Sequence, residues 1–183
     1  MRMKMFALVS FLLLRVVFVE AQPKKLDMSK KESSISYKMV HPLHEIEATS
    51  KEADLQIEAD PSKKEIESVS ARVDVMTFDS GNSNRDSHAM EVIDAISYPE
   101  VTFVSSSITE VGDSLKVTGK LTFHGVTQDI VALAATKWSS ERLEVRGGFV
   151  LSLTACKIER PSLLMIPVED ALRFTFTAVF GLN

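Results

Sequence analysis

From Ser34 onward, apolar and polar residues alternate with a period of two in segment after segment, each broken by a short polar turn. Ser34 to Val40 and His44 to Ser50 flank His41-Pro42-Leu43, a tight connection stiffened by proline. Leu55 to Asp60 alternates and stops at Pro61, and Val69 to Val75 carries its apolar residues at odd positions. Strand signals resume at Val101–Val104, Leu115–Thr118, Leu121–Phe123, Gln128–Ala135, Leu143–Leu153 and Leu172–Ala178. Val111-Gly112-Asp113 and Phe123-His124-Gly125 read as hairpin turns. Between Val75 and Val101, Ser83 to Ala95 spaces its apolar residues as on one face of a short helix, with Ser83 or Asn84 placed to cap it.

The pattern predicts an all-β fold of about eight antiparallel strands with one short inserted helix. A sheet of that size closes or folds over, because an open one leaves long unpaired edges. A barrel of about eight strands has an interior that side chains fill or that holds one small ligand. Alternation also names the inner face. Val69, Ala71, Val73 and Val75 share it with Leu115, Val117, Leu121 and Phe123. Leu143, Val145, Phe149, Leu151 and Leu153 continue it, as do Leu172, Phe174, Phe176 and Phe180, and none of these residues is charged. If the interior is hollow, the candidate lining is Val73, Val75, Val117, Leu121, Phe123, Phe149, Leu151, Phe174 and Phe176. An ordinary packed core accommodates the same residues.

Composition narrows the function. The chain has 183 residues, 45% hydrophobic and 25% charged, with a formal net charge of −4. This balance is globular and argues against a basic, phosphate-tracking nucleic-acid binder. A single cysteine, Cys156, excludes an intrachain disulfide and any multi-cysteine zinc site. Met1 to Ala21 has the three parts of a secretory signal: Arg2 and Lys4, then the apolar run Met5–Val19, then small residues before Gln22. Arg15 interrupts the apolar run, which is too short and broken for a good transmembrane helix. The expectation is a signal peptide over residues 1–21, one barrel domain over 22–183, and a periplasmic or secreted protein. The sequence leaves the oligomeric state open, a dimer included.

Residues with reactive chemistry form no catalytic pattern. His41, His44, His88 and His124 are the only histidines, and their spacing to one another and to Cys156 matches no metal-ligand motif. Arg85, Asp86 and His88 surround Ser87, but no G-x-S-x-G elbow is present. Asp86 near a helix start favours the helix dipole, and Arg85 can tie the helix to a loop. Cys156 reads as a small buried hydrophobe, with charged neighbours Lys157, Glu159 and Arg160. Trp138 and Tyr98 suit either a barrel end or ordinary packing. Glu45, Glu47, Glu52, Asp54 and Glu58 read as a solvated sheet face. The reading is a protein without catalytic residues, metal or cofactor.

Three motifs carry a family resemblance. Ser80-Gly81-Asn82-Ser83-Asn84-Arg85-Asp86-Ser87-His88 is similar to a (T/S)GN..RD.H segment, and Tyr98-Pro99-Glu100-Val101-Thr102-Phe103-Val104-Ser105 to a YP.(I/V).F.S strand. Val117 to Thr127 is similar to a (V/L)TG.LT..GVT hairpin. In this order and spacing they resemble the YceI-like family, from about Leu26 to the C-terminus. The resemblance implies an extended lipocalin-like antiparallel barrel, exported in bacteria, whose long apolar cavity holds a polyisoprenoid, an isoprenoid quinone or a similar lipid. A lipid partner of that kind is compatible with transient membrane contact. The alternative is a filled barrel serving as a stress-response or interaction module. One stretch departs from the family pattern: Cys156 to Met165 stands where many members carry an N-R-x-D-F-G-like segment.

Overall fold

The computed structural model describes residues 23–182, so the expected signal peptide lies outside the described residues. The described residues begin with β1 (Lys24–Asp27) and a 3-10 turn, Lys30–Glu32, followed by the hairpin β2 (Ser34–His41) and β3 (His44–Ser50). After β4 (Asp54–Asp60) and β5 (Glu65–Asp74) come a 3-10 turn, Val75–Thr77, and the helix α1 (Ser83–Val92). The hairpins continue through β6 (Glu100–Val111), β7 (Ser114–Phe123), β8 (Val126–Trp138) and β9 (Arg142–Ser152). A two-stranded hairpin, β10 (Ser162–Leu163) with β11 (Ile166–Pro167), then precedes β12 (Ala171–Gly181).

Ten strands form one antiparallel sheet in the order β1-β4-β5-β6-β7-β8-β9-β12-β2-β3. Nine of the ten correspond to segments whose alternation is read in the sequence, Leu115–Thr118 and Leu121–Phe123 merging into β7, and the tenth, β1, is too short and charged to show alternation. Most ladders join neighbours in the chain, so turn chemistry sets the register. Gly112 (φ 60°) is the first central residue of the β6–β7 turn, and His124 and Gly125 (φ 50° and 70°) supply the two left-handed residues of the β7–β8 turn.

The sheet curls until its remote edges meet. Met28 donates its N–H to Leu55 O (2.9 Å) while bridging Phe180, and Ser29 donates to Val179 O (2.8 Å). These contacts set β1 between β4 and the end of β12. At the opposite end, Thr49 and Asp79 exchange two backbone hydrogen bonds, each 3.0 Å, and tether β3 to the segment before α1. The barrel thus has a floor, with the β4–β5, β6–β7 and β8–β9 turns, and a mouth. The mouth carries α1, the β2–β3 and β7–β8 turns, and residues 153–170.

Alternation along the strands produces two apolar clusters. The floor cluster holds Leu26, Ile57, Leu143, Val145 and Phe180, with Phe180 and Leu143 fully buried. The mouth cluster combines strand residues such as Val73, Leu121, Leu151 and Phe174 with Phe78, Ile158 and Val168 from connecting segments. β8 shows the pattern plainly: Ile130, Ala132 and Ala134 are buried, while Val131 and Leu133 face outward.

Two differences from the sequence reading are local. The helix is capped by Asn82, whose Oδ1 accepts from Arg85 N (3.1 Å), rather than by Ser83 or Asn84. Gly81, at φ 73°, turns the chain one residue earlier than the helical spacing suggested. His41 belongs to β2, leaving Pro42 and Leu43 as the turn.

Candidate functional site

The space between the two clusters is a lumen divided into two chambers. The inner one, toward the floor, measures ≈ 130 Å³, and the outer one, beneath the mouth, ≈ 520 Å³. Ile35, Val73, Val101 and Phe149 line both and form the waist between them. An apolar cavity of about 150 Å³ stays dry and accepts a benzene-sized guest, whereas ligand pockets run from about 300 to 1,000 Å³. The inner chamber falls near the first measure and the outer within the second.

All nine lining candidates reach the lumen. Val117, Leu121 and Phe176 face the inner chamber, and Val75, Phe123, Leu151 and Phe174 the outer. Val73 and Phe149 touch both. Val75 does so from the 3-10 turn after β5, because the strand ends at Asp74.

Bare backbone keeps the lumen open. A Cβ on Gly119 would lie 2.4 Å from Val104 O and 2.5 Å from Phe103 Cζ; on Gly147 it would lie 2.4 Å from Leu133 O and 2.7 Å from Phe176 Cζ. Each glycine lets an aromatic ring lie against the wall instead of projecting across the chamber. In the outer chamber Phe149 stacks on Phe174 with centroids 4.8 Å apart and planes 9° apart. Tyr37 meets Phe174 at 6.3 Å and Phe78 at 5.3 Å.

Polarity is confined to one end. His41, His44, Asn82, Asn84, Arg85 and His88 line the outer chamber near the mouth, and among the described residues no carboxylate lines it. The RD.H segment builds this rim. Asp86 accepts from Ser80 N (3.2 Å), while Arg85 donates from Nε to Ser80 Oγ (2.9 Å) and from Nη2 to Ser80 O (2.8 Å). Burial pushes the Tyr37 phenol up; the nearby Asp86 charge adds to this and Arg85 opposes it, so Tyr37 remains a neutral donor.

The other candidate groups have structural partners. His41 accepts at Nδ1 from Leu43 N (3.2 Å), which fixes its other nitrogen, Nε2, as donor to Ile166 O (2.9 Å). His124 Nδ1 lies 3.0 Å from Cys156 O, and its ring packs on Tyr98 at 4.5 Å. The buried Cys156 thiol is pushed up by desolvation, opposed by the Gln128 amide at 2.9 Å and raised further by Asp170. This disfavours the nucleophilic thiolate. Among the described residues no three His, Cys, Asp or Glu side chains gather as a metal site. Tyr98 and Trp138 line neither chamber; Trp138 packs on the floor cluster. The acidic run from Glu45 to Glu58 is exposed.

Several lining residues were missed in the sequence. Ile35, Tyr37 and Met39 occupy alternate positions of β2, so the same period-two signal pointed to them. Phe78, Ile158 and Val168 come from irregular segments with no period to read.

Comparison with known proteins gives consistent results. The YceI-like domain matches residues 25–180. A UPF0312 protein of Pseudomonas putida is 29% identical over 147 residues, covering 75% of this chain and 77% of the relative. Among solved structures, Burkholderia cenocepacia BcnA superposes with a TM-score of 0.75 at 24% identity, covering 83% of this chain and 98% of BcnA. A Saccharophagus degradans domain, described as polyisoprenoid-binding and implicated in plant cell wall breakdown, gives 0.64 at 10% identity, covering 86% and 98% of the two chains. At these identities the two structures speak to the fold.

Proposed function

The chain belongs to the YceI-like family, and from that premise we propose that it carries a long apolar lipid of the polyisoprenoid or isoprenoid-quinone kind. The lipid is held inside the barrel for transport, storage or sequestration. The observation that carries this reading is the two-chambered lumen, narrow and apolar within and polar only at its mouth. Each methylene withdrawn from water contributes about 0.8 kcal/mol, so a tail binds tightly without a dense hydrogen-bond network. The chain end lies in the inner chamber, and the polar end faces Tyr37, Arg85 and His88. The Saccharophagus domain, of the same fold, bears a polyisoprenoid-binding description.

The protein binds its cargo without turning it over. Asp86 and Arg85 are committed to Ser80, and the sole cysteine is buried and protonated. The protein acts after export, once Met1–Ala21 has been removed, in the periplasm or outside the cell.

Native mass spectrometry of the purified protein, followed by lipid extraction, tests the reading. A retained isoprenoid and a mature chain starting near Gln22 are expected. Ligand-free protein whose melting temperature ignores polyprenols of every length would overturn the carrier; an intact Met1 on envelope protein would overturn cleavage.

A further inference from the structure

At the mouth, β10 and β11 project as a hairpin with an apolar tip. Leu164 is 77% exposed and Met165 96% exposed. They are the two central residues of a tight turn, at φ 53° and 63°, since Leu163 pairs with Ile166. Such a turn favours Asn-Gly, and large side chains in left-handed conformations are uncommon. This chain places two large apolar residues where neither local conformation nor folding calls for them. From Pro161 to Pro167 no residue is charged.

The hairpin is anchored at its base. Val168 N donates to Pro161 O (2.9 Å), Arg160 Nε to Val168 O (2.8 Å), and Glu169 N to Val40 O (2.8 Å). His41 links it to the β2–β3 turn through Ile166 O and Leu43 N, bringing in Leu43, which is 63% exposed. Ser162, Leu163, His41 and His44 also line the outer chamber, so the two apolar turns stand at its opening.

We propose that the β10–β11 tip, with Leu43 beside it, inserts into a lipid bilayer and seats the cavity mouth on the membrane surface. A stable protein interface buries about 800 Å² on each partner, which the exposed apolar residues of this short hairpin, Leu163 to Ile166, beside a single leucine do not supply. A convex apolar prong does suit the boundary between headgroups and acyl chains. The net charge of −4 makes attraction to anionic lipid a poor driving force, so insertion is apolar and weakly dependent on salt. Delivery through this contact presupposes the carrier reading; the docking itself does not.

The test is flotation of the purified protein with phosphatidylcholine vesicles, with and without added salt. Leu164→Asn combined with Met165→Gly gives the turn the residues its backbone prefers. The double variant should lose about tenfold in vesicle partitioning with no fall in melting temperature, and Leu43→Ser should lose about threefold. Wild-type protein that fails to float, partitioning abolished by salt, or a double variant that floats like wild type overturns the proposal. The last result combined with faster loss of bound polyprenol in vesicle-free buffer identifies the hairpin as a lid. Lipid content of the wild type is read separately. Protein that floats but carries no isoprenoid fails the carrier reading and leaves docking standing; protein that carries lipid but never floats does the reverse.

Discussion

The inner and outer chambers share a waist at Ile35, Val73, Val101 and Phe149 but are built differently. The inner one is lined almost wholly from strands and is sealed below by Leu143 and Phe180. The outer one has strands on one side and α1, Phe78, Ile158 and Val168 on the other, with imidazoles and a guanidinium at its rim. A wall fixed by backbone ladders suits the featureless part of a ligand. A wall of helix and connecting segments can be altered without disturbing the barrel, which suits the part that distinguishes one ligand from another.

The sharpest way to break this contrast is truncation. Phe180→Ala should destabilise by about 3–5 kcal/mol, because the ring is fully buried in the floor. Met90→Ala, half-buried on α1, should cost under about 1 kcal/mol. Urea denaturation midpoints measure both, and equal losses would erase the distinction between a rigid floor and an adjustable mouth.

Next in size is Gly147→Ala. The added methyl meets Leu133 O and displaces the Phe176 ring toward the inner chamber. Overpacking of this sort costs about 1–3 kcal/mol. It should also shorten the longest polyprenol retained, whereas His88→Ala at the rim should leave that length unchanged. Native mass spectrometry with graded chain lengths decides; an unaltered length limit in the glycine variant would show that the inner chamber takes no part in binding.

Asp86→Ala probes the scaffold of the mouth. Losing its hydrogen bonds from Ser80 and its place in the first helical turn should cost about 1 kcal/mol, with lipid retention nearly unchanged. A loss of retention at constant stability would move this carboxylate into the binding site.

The smallest effect is acid loosening at the mouth. The Ser152 hydroxyl and Thr154 N–H donate to Asp170 and hold its carboxyl below the ordinary value of 3.8. Its folded value is depressed, so its stabilisation is complete above the ordinary value and is lost as pH falls through the lower folded one. Exchange protection at Leu153 and Thr154 should therefore decline below about pH 4 before protection at Phe180 does, and Asp170→Asn should flatten that decline. Simultaneous loss at both ends would contradict it.

How much of this was legible follows the same division. Eight of the nine candidates reach the lumen because they sit on long strands whose alternation is unambiguous, as in Leu172–Phe176 and Leu143–Leu151, and Val75 follows directly on the end of β5. β1 escaped notice because Lys24-Lys25-Leu26-Asp27 has one apolar residue, and only its ladder to β4 makes it a strand. β10 and β11 are two residues each, too short for any period. The rim was visible as the RD.H segment but not as a rim, since its meeting with Tyr37 depends on how far the sheet curls. The RD.H motif marked the mouth, and the other two motifs contribute Val101, Phe103, Val117, Leu121 and Phe123 to the cavity, while the rest of its lining came from residues that no motif names.

The seam where β1 meets β12 bears on how the lumen is filled. Lys24 Nζ donates to Leu182 O beside that seam, across 158 residues of chain. From β5 to β9 each strand pairs with its predecessor, so that meander can form in step with its emergence. The seam must wait for β12, and closing so long a loop adds an entropic cost to the delay. During biogenesis the lumen is therefore a trough before it is a tunnel. An apolar chain that meets the trough can be enveloped from the side, and a guest taken up later must enter end-on through the mouth.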